Sequence, residues 1–256
     1  MSMVERGRIG AAFGQARDYD RHARVQRKVA EALADRIAAL TLPQRPRILE
    51  IGCGTGFLTQ AMMDRGIDGD WLITDIAPAM VERCRERLGE GPDRRFAVLD
   101  GEYDIPADGG FDLICSSLAM QWFDHHAEGL SRMLDALAQG GHCLFATLGQ
   151  GTFAEWQAAH EAEGLPVGTR QFPPVAELGA ALPDRQAGPV EIEHHVEHHA
   201  SAIDFLRALK AIGARTPSTG HAPLSAAQMR RVMAHFDASG PAVTYEVVFG
   251  HYQRPE

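Results

Sequence analysis

Apolar positions along the chain recur with two periods, one helical and one extended. Residues 18–40 set Tyr19, His22, Gln26, Val29, Leu33, Ile37 and Leu40 three or four apart. That spacing predicts an amphipathic helix, with Asp18 as a candidate N-cap and Pro43 and Pro46 ending the pattern. The run Arg47-Ile48-Leu49-Glu50-Ile51 reads as a buried strand that breaks into a glycine loop. A helix over 57–65 and a second strand over Trp71-Leu72-Ile73-Thr74 follow. Pro78 suits the first turn of a helix that Gly89 can close. Phe96 to Leu99 and Phe111 to Cys115 predict a third and a fourth strand. After a helix near 126–138, Gly140-Gly141 is expected to turn the chain into a fifth strand, His142 to Thr147.

Alternating strands and helices, with no repeat and no linker, imply right-handed βαβ units and a mostly parallel sheet with helices on both faces. The pattern changes after Gly151. Residues 152–185 hold helical stretches broken by prolines, Val190 to His199 alternates like a strand, 202–213 and 225–236 are helical, and Ala242 to Tyr252 is a last strand. The expected organisation is a single α/β domain over 1–256. Its core is 1–150, its last strands are 189–200 and 242–252, and the insertions 151–188 and 201–240 form a helical lid.

Charge and composition narrow the function. A formal charge of −9 argues against a nucleic-acid binder, which needs clustered Lys and Arg to neutralise phosphates. Lys28 and Lys210 are the only lysines. The four cysteines, Cys53, Cys84, Cys115 and Cys143, form no C-x-x-C pair and read as small buried hydrophobes in a reducing compartment. No segment resembles a signal peptide or reaches the roughly 20 apolar residues of a membrane span. The expectation is a cytoplasmic monomer with no membrane or nucleic-acid partner.

The segment most informative about chemistry is Glu50-Ile51-Gly52-Cys53-Gly54-Thr55-Gly56, between a strand and a helix. Glycines there allow a tight turn and let a ligand approach the main chain. A dinucleotide fingerprint would need glycine at position 57, which is Phe57, and a phosphate loop would need a Gly-Lys-Ser/Thr that is absent. The spacing instead resembles motif I of class I methyltransferases, which implies a Rossmann-like fold and S-adenosylmethionine as cofactor. A helix N-terminus suits the methionine carboxylate of such a ligand. Asp75 ends the second strand 19 positions after Gly56, near the offset at which nucleoside-binding units place an acid on the ribose. Asp100-Gly101-Glu102 follows the third strand, where methyltransferases contact the adenine.

Over nearly its whole length the chain resembles the biotin-pathway malonyl-acyl-carrier-protein O-methyltransferases. The resemblance runs through Ala12-Phe13, Tyr19-Asp20, His22-Ala23 and Gln26, then Ser116-Ser117-Leu118-Ala119-Met120-Gln121-Trp122. It continues in Thr147-Leu148, Gly151-Thr152-Phe153, Leu206 to Ala214, Leu224-Ser225, Thr244-Tyr245-Glu246 and Phe249-Gly250. Ser117 departs from the Asn of many members, and the His-rich stretch Glu193 to His199 lies outside the pattern. The resemblance implies methyl transfer to the free carboxylate of a malonyl thioester, with an acyl carrier protein or coenzyme A as the carrier. It also implies cofactor contacts at Tyr19, Gln26, Glu50, Gly52, Cys53, Gly54, Gly56, Asp75, Ile76, Met80, Asp100, Gly101, Glu102 and Ser116.

A carboxylate with a pKa of about 4 is already ionised at neutral pH, so no acid–base residue is expected. Catalysis reduces to alignment and exclusion of water. A cation would select the free carboxylate, and Arg does so bidentately. Arg207 is the first candidate and Arg170 the second, with Lys210, Gln121 and Trp122 nearby. Each has a bland alternative. Arg207 and Lys210 beside Asp204 would also suit a solvated helix face, Gln121 and Trp122 would suit packing beneath a sheet edge, and Tyr19 would suit a core contact. Arg207, Lys210, Arg215, Arg230 and Arg231 stand against Asp204 alone over 201–235, which would favour an acidic carrier protein. His194 and His198 point to one side of a strand and His195 and His199 to the other, so no metal is expected. Methylation of another small carboxylic acid, such as an aconitate-like one, and a binding scaffold without catalysis remain as alternatives.

Overall fold

Four of the five residues of Arg47–Ile51 are buried, which makes this strand, β1, the centre of the molecule. The computed structural model describes residues 13, 19–106, 108–180, 186–188, 190–213 and 222–255. Asp18, Ala12, Ala214 and Arg215 lie outside the described residues. Beside β1 run β2 (Asp70–Asp75) and β3 (Arg94–Val98) on one side and β4 (Phe111–Ser117) and β5 (Leu137–Leu148) on the other, all parallel. The sheet then turns antiparallel. Its last long strand (Ala242–Gln253) pairs with β5 and, on its far side, with Gln186–Ala187 and Glu191–His198. In chain order these are β6 (Gln186–Ala187), β7 (Glu191–His198) and β8 (Ala242–Gln253), giving the sheet order β3-β2-β1-β4-β5-β8-β6 with β7 also on β8. The direction of winding reverses between β1 and β4, the crevice in which open α/β sheets bind ligands at the strands' carboxyl ends.

Successive residues of β1 serve opposite faces. Ile48 joins a core with Val29, Leu33 and Ile37, whereas Leu49 and Ile51 join a second core with Leu130, Met133 and Leu134. The first face is covered by α1 (Tyr19–His22), α2 (Arg24–Ala38) and α3 (Phe57–Asp64). Next in chain order are α4 (Pro78–Leu88), which carries proline in its first turn and ends at Gly89, and α5 (His126–Asp135) on the second face. The helix expected over 18–40 is interrupted at Ala23, whose ψ of 49° leaves the helical region. Gly140-Gly141 also departs from expectation. The pair lies inside β5, which begins at Leu137, because a register shift opposite Phe111 lets the strand start early. A Cβ on Gly141 would come 2.8 Å from the Phe111 carbonyl, so close strand approach, not a chain reversal, demands glycine there.

Beyond β5 come α6 (Ala154–Ala162) and α7 (Val175–Ala180), and between β7 and β8 come α8 (Ala202–Ala211) and α9 (Ala226–Ala238). Ser201 caps α8 by accepting from the Asp204 N–H, and Ser225 with Gln228 forms a capping box on α9. Edge-on aromatic contacts tie three of these helices together: Trp156 lies 5.4 Å from Phe205 and 5.3 Å from Phe236. No helix among the described residues is long and apolar enough to cross a membrane.

Candidate active site

β1 ends in a loop whose glycines 52, 54 and 56 all take positive φ, at 72°, 54° and 89°. At Gly54 an added Cβ would meet only the Tyr19 hydroxyl, at 3.9 Å, so bare backbone faces the space between them. Gly52 is more constrained, since a Cβ there would stand 2.2 Å from that of Ala119. The loop is fixed from below by Cys53 N–H donating to the Thr74 carbonyl (2.8 Å). Asp75 fixes it from the side: one carboxylate oxygen accepts from Gly54 N–H (2.9 Å) and the other from Ala77 N–H (2.8 Å). Burial pushes the Asp75 pKa up against the pull of those amides. Behind the loop, Glu50 is 1% exposed and accepts from the Thr59 hydroxyl. Burial pushes its pKa up to about 7.

A cleft of about 750 Å³ opens over this loop at the carboxyl ends of β1 to β4. Of the residues expected at the cofactor, it is lined by Tyr19, Gly52, Gly54, Asp75, Ile76, Met80, Asp100, Gly101 and Glu102. Gln26, Glu50 and Cys53 border an adjoining cavity of about 300 Å³ that also touches Tyr19, Gly52, Gly54 and Ser117. Gly56 caps α3. One expectation needs correction. Ser116 is wholly buried in β4 and lines neither space, whereas Ser117, the last residue of the strand, lines both. The Glu102 carboxylate accepts from the backbone N–H groups of Asp124 (3.0 Å) and His125 (2.8 Å). It therefore pins the loop after Trp122 while lining the cleft. Asp75 and Asp100 as acceptors, Ile76, Met80, Leu99 and Phe123 as apolar plates, and the open backbone of Gly54 together fit an adenosine bearing a methionine tail.

A second cleft, of about 1210 Å³, shares Phe13, Tyr19, Leu118 and Trp122 with the first. Leu118 holds φ at 51°, an uncommon conformation for a branched residue and of the kind concentrated at functional sites. Gln121 is buried and its amide donates to the Leu118 carbonyl (2.6 Å), so it props that turn while bordering the cleft. Trp122 stands edge-on to Phe13 at 5.3 Å. The remaining wall is largely apolar, with Phe153, Trp156, Phe172, Leu206, Leu209, Ile212 and Met229. Thr244-Tyr245-Glu246 is held on the same side: Glu155 accepts from the Thr244 N–H, Glu246 accepts from Gly151 N–H (2.9 Å), and Tyr245 reaches the cleft.

Two cations enter this cleft, and the first candidate is not one of them. Arg207 is 74% exposed, bonds Asp204 at 3.2 Å and does not line the cleft. At 100° per residue, α8 turns Leu206 and Leu209 inward, sets Lys210 at the edge of the cleft and leaves Arg207 to solvent. Arg170 does line the cleft; it donates to the Phe123 carbonyl (2.9 Å), lies 3.6 Å from Asp124 and stands 5.8 Å over the Trp122 ring. Lys210 lines it from an exposed position. Arg231 is tied to Glu163 (2.5 Å) and Arg230 is exposed. The histidine stretch pairs with carboxylates, His194 with Glu246 and His195 with Glu193. Among the described residues no group of three or more His, Cys, Asp or Glu side chains is placed to hold a metal.

The methyltransferase-domain family matches residues 48–141. A malonyl-[acyl-carrier protein] O-methyltransferase of Magnetococcus marinus is 44% identical over 251 residues, 97% of this chain and 93% of the relative. This chain belongs to the malonyl-[acyl-carrier protein] O-methyltransferase family. A biotin biosynthesis bifunctional protein of Bordetella avium is 48% identical over 248 residues, 96% of this chain, and the chain spans about half of that relative's length, 52%. The YcgJ protein of Bacillus subtilis shares the fold, with a TM-score of 0.63 at 13% identity over 89% of this chain and 98% of its own. The fold is the Rossmann-like class I methyltransferase fold, and S-adenosylmethionine is the methyl donor. Leu118, Ala119, Phe123, Phe153 and Trp156 join the site without having been expected there. Of these, Leu118 and Ala119 lie within the Ser116 to Trp122 block that carries the family resemblance, and Phe123 directly follows it.

Proposed function

We propose that this chain methylates the free carboxylate of a malonyl thioester, carried by an acyl carrier protein or coenzyme A, to give the methyl ester used in biotin synthesis. It acts as a cytoplasmic monomer in which residues 1–150 hold the donor and 151–188 with 201–240 close over the acceptor. The observation that carries this reading is Arg170, a 24%-exposed cation beside Trp122, the wall common to both clefts. S-adenosylmethionine supplies an electrophilic methyl group on a sulfonium. Arg170 pairs with the acceptor carboxylate and turns one oxygen toward the neighbouring cleft. Its own orientation is set by the Phe123 carbonyl, Asp124 and Trp122, so little freedom is lost on binding. Phe13, Tyr19, Leu118 and Trp122 form an apolar collar that keeps water from the line of transfer. The acceptor is already an anion at neutral pH, and no side chain is needed to remove a proton.

Labelled methyl transfer to malonyl, succinyl and acetyl thioesters in parallel tests the proposal. Malonyl thioesters should be methylated and the acetyl thioester, which has no free carboxylate, should not. Transfer to the acetyl thioester at a comparable rate would overturn it.

A further inference from the structure

The second cleft is larger than its acyl substrate requires. Its lining runs from Phe13 and Gln26 to Met229 and Tyr245, a longer wall than a three-carbon diacid can touch. Its two cations are set differently. Arg170 is half-buried at the wall shared with the donor cleft. Lys210 is exposed and reaches the cleft from α8. Leu206, Leu209, Ile212 and Met229 contribute apolar surface to the same cleft. A cleft with a sheltered cation, a solvent-side cation and a largely apolar lining fits a ligand with a carboxylate at one end, an uncharged chain in the middle and a second anion at the other.

We infer that Lys210 binds the phosphate of a phosphopantetheine arm, so that the thioester substrate is gripped by Arg170 at its carboxylate and by Lys210 at its phosphate. This rests on the malonyl-thioester reading and adds an orientation to it: the acyl group enters first and the carrier stays outside. A lysine in the last turn of a helix also complements the helix carbonyls, but that favours a cation in the turn without favouring the face that borders the cleft. Arg207, on the same helix, makes the contrast. It is paired with Asp204 and turned to solvent, whereas among the described residues Lys210 makes no ion pair. Carrier protein and coenzyme A both present a phosphate on the pantetheine arm, so Lys210 serves either.

The test compares wild type, Lys210→Ala and Lys210→Arg on malonyl carrier protein, malonyl-coenzyme A and malonyl-N-acetylcysteamine, which keeps the thioester and lacks the phosphate. Lys210→Ala should raise KM about tenfold on both phosphate-bearing substrates, the scale of one lost charge-assisted hydrogen bond. It should leave kcat unchanged and leave KM for the N-acetylcysteamine thioester as in wild type, and Lys210→Arg should recover most of the loss. Equal losses on all three substrates, or none on any, would overturn the assignment while leaving malonyl methylation standing. Failure of wild type to methylate any malonyl thioester would overturn both.

Discussion

Replacing Glu50 with Gln should stabilise the ligand-free protein at alkaline pH and weaken its grip on the donor. The Glu50 side chain is buried behind the glycine loop, and its pKa is pushed up to about 7 from 4.5, chiefly by burial, with the Thr59 hydroxyl opposing and the Asp75 charge adding. Below about pH 4.5 the folded and unfolded chains both carry the proton. Between 4.5 and 7 the unfolded chain releases it while the folded chain retains it, so this group's contribution to stability falls as pH rises. Above 7 the loss is complete. The shift of 2.5 units at 1.36 kcal/mol each sets a ceiling of about 3 kcal/mol, or roughly 6–12 °C in Tm for a chain of this size. Glutamine keeps the shape and can still accept from Thr59. Thermal melts of wild type and Glu50→Gln at half-unit steps from pH 4.5 to 8.5 should therefore coincide at the acid end and diverge toward the alkaline end, with the variant higher. Saturating S-adenosylmethionine should narrow the gap, because a cation bound next to Glu50 favours its ionised form. Parallel curves across that range would refute the assignment of a buried, protonated Glu50.

Gly52→Ala should cost at least tenfold in donor affinity by calorimetry with the fold retained, because its φ of 72° and the 2.2 Å approach to Ala119 force the loop to shift; wild-type affinity would show that the loop is not the donor's seat. Asp75→Ala removes the acceptor for Gly54 and Ala77, charge-assisted bonds worth about 1.5–3 kcal/mol each, so both Tm and donor affinity should fall, and unchanged affinity in a folded variant would remove Asp75 from the site. Arg170→Ala should lower kcat/KM on malonyl thioesters by about ten- to a hundredfold, while Arg207→Ala, an exposed i,i+3 partner of Asp204, should stay within about twofold of wild type; the reverse order would return the carboxylate to Arg207.

Periodicity made the framework legible. β1 spans the expected Arg47–Ile51, and α4 begins at Pro78 and ends before Gly89. Both follow from local chemistry: a short apolar run before glycines, and a proline in a first helical turn. The ends of elements were harder. Whether Ser116 or Ser117 emerges at the mouth depends on where β4 stops pairing with β5, and their register continues through Ser117. Arg207 and Lys210 are equally plausible on α8 until the packing of Leu206 and Leu209 fixes which side is inward. Leu118 carries no local signal for its left-handed backbone, which is imposed by the Leu118 N–H bond to Ala146 and the Gln121 amide. Glu102 was recognised as part of the site for its position, but its partners lie in a loop more than twenty residues away.

If methyl is placed on a carboxylate oxygen by alignment alone, the position of the methyl group in the product reveals it. Malonyl thioester has a second nucleophilic site, its central carbon, which could react only if a base removed a proton. Product formed from methyl-labelled S-adenosylmethionine should therefore release its label as volatile methanol on mild alkaline hydrolysis, as a methyl ester does. Label that survives hydrolysis in a non-volatile, branched diacid would mean that the central carbon, not the carboxylate, receives the methyl group.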